Sequence, residues 1–174
     1  MNRIDSAFAR LKQAKKKAFI PYLAAGVPGK AETAELVLEL EKLGADIVEL
    51  GYPFSDPMAD GVVNQIAANR ALESGVDAEA YFAMVAEIRK RTQIPLIVFS
   101  YLNPIFKYGL DAFARRAKAA GMDGILLVDM PVEESLELQA TCKREDLSLI
   151  FLVAPTTTPD RLAKVLEGGS GFLY

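Results

Sequence analysis

The feature that most constrains this chain is a rhythm in which short apolar runs alternate with longer stretches of helical periodicity. The runs are Ala18 to Ala24, Ile47 to Leu50, Leu96 to Tyr101, Ile125 to Val128, Leu149 to Val153 and Phe172 to Tyr174. Each is too short for a buried helix, and several are rich in Val, Ile and Leu, as strands covered on both faces are. Between them, Leu36, Val37, Leu40 and Leu43 fall at helical spacing. So do Tyr81, Met84, Val85 and Ile88, then Leu110, Phe113, Ala114 and Ala117, and more briefly Leu162, Val165 and Leu166. There is also an internal echo: Leu43-Gly44-Ala45-Asp46-Ile47-Val48-Glu49 resembles Ala120-Gly121-Met122-Asp123-Gly124-Ile125-Leu126. In both, a glycine stands where a helix should end and a strand follows almost at once. Such a βαβα run implies a parallel sheet with right-handed crossovers. A (β/α) barrel and a doubly wound open sheet both satisfy it. No G-x-G-x-x-G or P-loop follows the first run, which counts against a nucleotide-binding open sheet.

The chemistry is narrowed most by what is missing. No histidine occurs in the 174 residues, and Cys142 is the single cysteine. A Cys/His metal site, a Ser-His-Asp triad and an internal disulfide are therefore excluded, and proton transfer falls to carboxylates, Lys or Tyr. Cys142 is expected to pack on a helix face. With 51% hydrophobic residues the chain can bury a sizeable core, and residues 1–174 read as one domain. A net charge of −3 argues against nucleic acid as a partner. The one basic cluster, Lys12 with Lys15, Lys16 and Lys17, has no interleaved aromatics and reads as a solvated face of the first helix. The start, MNRIDSAFAR, carries an early acid and no apolar run, unlike a signal peptide or membrane span, so a cytoplasmic location is expected.

The stretch Ile47-Val48-Glu49-Leu50-Gly51-Tyr52-Pro53-Phe54-Ser55-Asp56-Pro57-Met58-Ala59-Asp60-Gly61 is the most informative. A strand ends near Glu49 and a loop follows; in a barrel, loops after strand C-termini build the active-site face. A carboxylate on a strand inside a barrel mouth is poorly solvated, which raises its pKa and suits a general acid that later acts as a base. Asp60, in the loop, is better hydrated, and two carboxylates in unlike environments can divide acid and base roles. A second reading stands beside this one. Glu49 is then a solvated rim residue, and Asp56 and Asp60 are turn formers or a helix N-cap for the stretch from Val62 onward. Pattern alone does not choose between them.

Four segments occur in order: FIPYLAAGVPG from Phe19, ELGYPFSDPMADG from Glu49, YLNPIFKYG from Tyr101 and VDMPVEES from Val128. Together they resemble the tryptophan synthase alpha subunit family, and the similarity runs over essentially the whole chain. The resemblance implies a TIM (β/α)8-type barrel, of which this chain supplies about six strands where a whole barrel has eight. It implies a lyase that cleaves indole-3-glycerol phosphate to indole and glyceraldehyde 3-phosphate, a retro-aldol step of tryptophan biosynthesis. Glu49 then matches the family's acid/base, which protonates the ring carbon bearing the side chain. Asp60 matches the carboxylate that accepts the indole N–H, and Tyr174 a tyrosine near the substrate. By family position Tyr22, Phe99, Tyr101 and Leu126 also point to the pocket, as do Phe19 and Leu152; taken singly, each fits the barrel core as well. The resemblance implies no cofactor on this chain, pyridoxal phosphate belonging to the partner beta subunit. That subunit is the expected protein partner, facing the loop after the second strand and the Pro104 to Tyr108 region. Asp129 reads as a rim or interface residue.

Departures from the family pattern are expected to touch affinity more than fold. Val27 and Ala24 stand where an aspartate and a threonine are common, Val62 where a proline is, and Tyr52 where a smaller aliphatic residue is. Tyr52 would alter loop packing or narrow the pocket. Alternative functions are a non-catalytic barrel fragment or partner-binding scaffold, and another phosphosugar barrel enzyme, since architecture does not fix activity. In such barrels the phosphate is held by glycine-rich loops after later strands and by a helix N-terminus, which would lie beyond Tyr174. The polypeptide of residues 1–174 alone is therefore expected to release little or no indole; steady release from it in a colorimetric indole assay would contradict this.

Overall fold

The computed structural model describes residues 2–174. Its first helix, α1 (Arg3–Gln13), begins with a capping box in which the Asn2 side chain and the Asp5 backbone and side chain satisfy each other. There follow β1 (Tyr22–Ala24), α2 (Lys30–Lys42), β2 (Val48–Gly51), α3 (Val62–Glu73) and α4 (Ala78–Arg89). Next come β3 (Leu96–Ser100), α5 (Leu102–Tyr108), α6 (Leu110–Ala120) and β4 (Gly124–Leu127). A 3-10 turn (Val132–Glu134), α7 (Leu136–Arg144), β5 (Ser148–Ile150) and α8 (Pro159–Gly168) complete the described elements.

All strands pair in parallel, in the order β1-β2-β3-β4-β5. Sequence neighbours are spatial neighbours throughout, whereas a doubly wound sheet reverses direction at a switch point. The order therefore selects the wall of a TIM (β/α)8-type barrel. The sixth apolar run, Phe172 to Tyr174, lies beside β5 but makes a single bridge, Phe151 with Leu173. Backbone bonds from Val153 to the Tyr174 carbonyl (2.8 Å) and from Tyr174 to the Phe151 carbonyl (3.0 Å) hold it there.

Strands β2 to β5 bury both faces, β1 being partly open, and successive residues alternate between two cores. Val48, Leu50, Leu96, Val98, Ile125, Leu127 and Leu149 face outward into the larger core, where Val37, Tyr81, Val85, Phe113 and Leu138 of the surrounding helices meet them. Ile47, Ile97, Leu126 and Ile150 face inward, and Ile4 and Ala7 of α1 join them, so α1 plugs the inner core at the strands' N-terminal ends. The sequence echo explains how the plug is pinned. Gly44 and Gly121 take φ values of +99° and +112°, which turn the chain sharply off the helix. Each is followed two residues later by an aspartate whose carboxylate accepts a backbone N–H from the adjacent strand segment. Asp46 takes that of Phe19 (3.0 Å) and Asp123 that of Leu96 (2.9 Å). Each also takes an arginine of α1: Arg10 reaches Asp46 (3.2 Å) and Arg3 reaches Asp123 (2.9 Å). Asp123, almost fully buried, binds Arg89 as well (3.1 Å).

Several elements differ from the sequence-based expectation. The first strand starts at Tyr22 rather than Ala18, because Pro21 has no N–H to give the ladder; Phe19 and Pro21 contribute only carbonyls to it. The Pro104 to Tyr108 region, expected to face the partner, is helical: it lies on α5, and Pro104 occupies the first turn, where a missing N–H costs nothing. Only Lys12 belongs to α1, and Lys15, Lys16 and Lys17 follow its end, all four exposed. Cys142 is buried on α7, as expected, and burial pushes its thiol up to about 12.

Replacing Asp123 with Ala leaves the Leu96 N–H unpaired and Arg89 without its counter-charge. It should cost about 3 kcal/mol in urea unfolding. Asp46→Ala, whose arginine is solvent-exposed, should cost about 1 kcal/mol or less.

Candidate active site

The inward face that carries Ile47 at the bottom of the barrel carries Glu49 two residues higher. Above the inner core lies a cleft of about 230 Å³, and Glu49 forms part of its floor. Its walls are Tyr22 of β1, Phe99 of β3, then Val128, Leu152 and Tyr174 beyond the ends of their strands. Ala59, Asp60 and Asn64 approach from the loop after β2 and the first turn of α3. Tyr22 meets Phe99 edge-on at 5.3 Å, and Phe99 meets Tyr174 at 5.9 Å, giving a continuous aromatic lining. Gly51 makes room for it. A Cβ there would stand 2.3 Å from the Tyr22 hydroxyl oxygen, so the ring lies across the bare backbone of β2.

The two carboxylates sit in unlike surroundings. Glu49 is 5% exposed, and burial, unopposed by any neighbouring charge or hydrogen bond, pushes its carboxyl up to about 7. Asp60 is half-buried and well supplied with donors: the Tyr101 hydroxyl reaches its Oδ2 at 2.7 Å and the Asn64 amide its Oδ1 at 3.4 Å. Tyr101 in turn accepts the Ala59 N–H at 2.9 Å. Burial first, then its bond to Asp60, raises the Tyr101 phenol to about 12. Burial and the charges of Asp60, Tyr101 and Glu49 raise Tyr22 to about 12. Both phenols therefore remain protonated donors at neutral pH.

Of the residues singled out from sequence, Glu49, Asp60, Tyr22, Phe99 and Tyr174 line this one cleft, and Leu152 does too. Tyr101 stands behind Asp60 and reaches the cleft through it. Leu126 does not reach the cleft: it is fully buried in the inner core, one inward position below Val128. Phe19 lies outside the cleft and is exposed. Val128 and Asn64 were not singled out from sequence as lining residues. Period-two parity from Leu126 leads to the first; the second carries no signal that separates it from any polar residue in a first helical turn. Asp129 accepts the first-turn N–H of α5 at Leu102 (2.7 Å), a capping role. Tyr52 packs outward on Tyr81 (5.0 Å) and Phe113 (5.7 Å) and does not line the cleft.

The sequence profile of the tryptophan synthase alpha chain matches residues 8–174. The chain belongs to that family. The tryptophan synthase alpha chain of Geotalea daltonii is 48% identical over all 174 residues, which span 66% of that relative. That of Methanosarcina barkeri is 45% identical over 172 residues, covering 99% of this chain and 65% of the relative. Among solved structures, the tryptophan synthase alpha subunit of Legionella pneumophila superposes with a TM-score of 0.97 at 43% identity, covering 100% of this chain and 67% of that one. A tryptophan synthase α2β2 complex from Pyrococcus furiosus matches with a TM-score of 0.85 at 40% identity, over 90% of this chain and 67% of that one. The chain thus spans just under two-thirds of the length of the curated relatives it matches.

Burial of Glu49 makes a prediction about stability. Its folded-state pKa, about 7, lies above its ordinary value of 4.5, so the folded chain holds this proton more tightly than the unfolded one. The resulting stabilisation is complete below pH 4.5 and is lost as pH rises to about 7. Glu49→Gln removes the penalty of an ionised buried carboxylate. It should therefore gain up to about 3 kcal/mol relative to the parent above pH 7, with the difference vanishing below pH 4.5. Denaturant unfolding across that range checks it; a difference independent of pH would contradict it.

Proposed function

We propose that this site cleaves indole-3-glycerol phosphate to indole and glyceraldehyde 3-phosphate. The observation that carries the reading is the pairing, in one aromatic cleft, of a desolvated carboxyl with one held by hydrogen bonds. The indole ring occupies the slot between Tyr22, Phe99 and Tyr174, with Val128 and Leu152 closing its edge. Protonated Glu49 delivers its proton to the ring carbon that bears the side chain. Positive charge then spreads to the ring nitrogen, whose N–H donates to Asp60. That bond strengthens as the charge grows, so it favours the transition state over the ground state. The carboxylate left on Glu49 next removes the proton of the side-chain hydroxyl adjacent to the ring. The carbon–carbon bond breaks, the aldehyde forms, the ring regains aromaticity, and Glu49 is again protonated. The step consumes no oxidant and needs no cofactor.

In this reading residues 1–174 belong to one barrel domain of a cytoplasmic biosynthetic enzyme; no described helix is long and apolar enough to cross a membrane. The protein partner is a tryptophan synthase beta subunit. It would seat on the strands' C-terminal side, where Met58 and Phe106 are exposed and Phe54, Pro53, Asn103, Pro104 and Lys107 line a notch of about 510 Å³.

Indole release from indole-3-glycerol phosphate, measured on the longest reading frame that contains this sequence with its beta subunit present, tests the proposal. Glu49→Gln should lose at least about a hundredfold in kcat. In the parent, kcat/KM should fall as pH rises through about 7, because the ionised form of Glu49 has no proton to give. Absence of indole from the parent would favour a partner-binding scaffold that keeps the barrel without its chemistry.

A further inference from the structure

We infer that Asn64 is a positioning residue, whose amide holds the Asp60 carboxylate in the orientation that accepts the N–H of a heteroaromatic ring. This rests on the reading of Asp60 given above. Asp60 ends a loop whose preceding residues, Met58 and Ala59, are exposed. Three side chains restrain it. Tyr101, at the start of α5, donates to Oδ2 at 2.7 Å, and Asn64 donates to Oδ1 at 3.4 Å. Gln65 donates to the Asp60 main-chain carbonyl at 2.8 Å. The first turn of α3 thus fixes the backbone of Asp60 with one amide and its carboxylate with the next.

Asp60 lies just ahead of the N-cap Gly61, and Asn64 in the first turn of α3 reaches back to its carboxylate. An ionised carboxylate only accepts hydrogen bonds, so the Asn64 amide must present its NH₂ group rather than its carbonyl. A donor on each oxygen opposes rotation of the carboxylate about its Cβ–Cγ bond, and each oxygen keeps a lone pair free for a third donor. Asn64 also lines the cleft, so its brace acts on the wall the ring nitrogen would meet. Without the amide, Asp60 is held at one oxygen only, while the aromatic walls stay as they are. The loss should therefore fall on recognition of the N–H and spare affinity in general.

Calorimetric titration of two ligands separates these effects, using the longest reading frame that contains this sequence. One ligand is a 3-substituted indole carrying a phosphate; the other is its benzofuran counterpart, in which oxygen replaces the N–H. The parent should prefer the indole ligand, and Asp60→Ala should abolish that preference. Asn64→Ala should cut the preference by about fivefold while changing benzofuran affinity by less than about twofold, with an unaltered thermal midpoint. If Asn64→Ala keeps the full preference, or weakens both ligands equally, its positioning role is overturned while the reading of Asp60 stands. If Asp60→Ala itself retains the preference, the reading of Asp60 fails and this inference fails with it.

Discussion

The structure depends on one geometric constraint: successive side chains of a strand point to opposite faces, and here both faces of the sheet are covered. Parity along β2 therefore decides everything about Glu49. Val48 and Leu50 enter the apolar layer under the helices, while Ile47 and Glu49 enter the barrel. A one-residue slip of register would turn Glu49 into the outer apolar core and remove its carboxyl from the cleft. The register between β1 and β2, with Tyr22 opposite Glu49 and Ala24 opposite Gly51, does more than align backbones. It sets a phenol beside the carboxyl and lays its ring over the one residue of the strand that has no side chain.

The two ends of this barrel wall serve different ends. At the N-terminal side, α1 closes the inner core with Ile4 and Ala7, and Arg3 and Arg10 reach to Asp123 and Asp46 two helical turns apart. Polar groups buried there are paired, as charges in low-dielectric surroundings must be. At the C-terminal side Glu49 is buried without a partner, a local cost accepted inside an otherwise well-packed molecule. That asymmetry separates framework from chemistry: paired carboxylates hold strands and helix in place, and an unpaired one keeps a proton near neutrality. Asp60 belongs to neither class. It lies on a loop and needs Tyr101, Asn64 and Gln65 to give it a fixed direction.

Much of the fold was legible because strands and helices have different periods. The runs at 47–50, 96–101 and 125–128 each mark a strand, and their sequential order in space follows from short right-handed crossovers. Helix α7 left little trace, since only Leu138, Thr141 and Cys142 are buried and one of these is polar. Helix α5 was hidden by Pro104, which reads as a breaker until its place in the first turn is known. In the site, Glu49 and Asp60 stood out by residue type and by their position at a strand end and its loop. Leu126 lies in the inner core, one inward step from the cleft; parity along a strand is readable in sequence, whereas depth along the barrel axis is not. Asn64 was not legible at all, since a polar residue early in a helix looks the same whether it faces solvent or braces a carboxylate.

The claim on which the account turns is that burial, with no compensating donor, makes Glu49 an acid near neutral pH. Carboxyl-labelled glutamate, observed by carbon NMR over a pH series and assigned with Glu49→Gln, measures this directly. One side-chain resonance should titrate with a midpoint near 7 and be absent from the variant. A midpoint near 4.5 for Glu49, like that of an ordinary exposed glutamate, would contradict it.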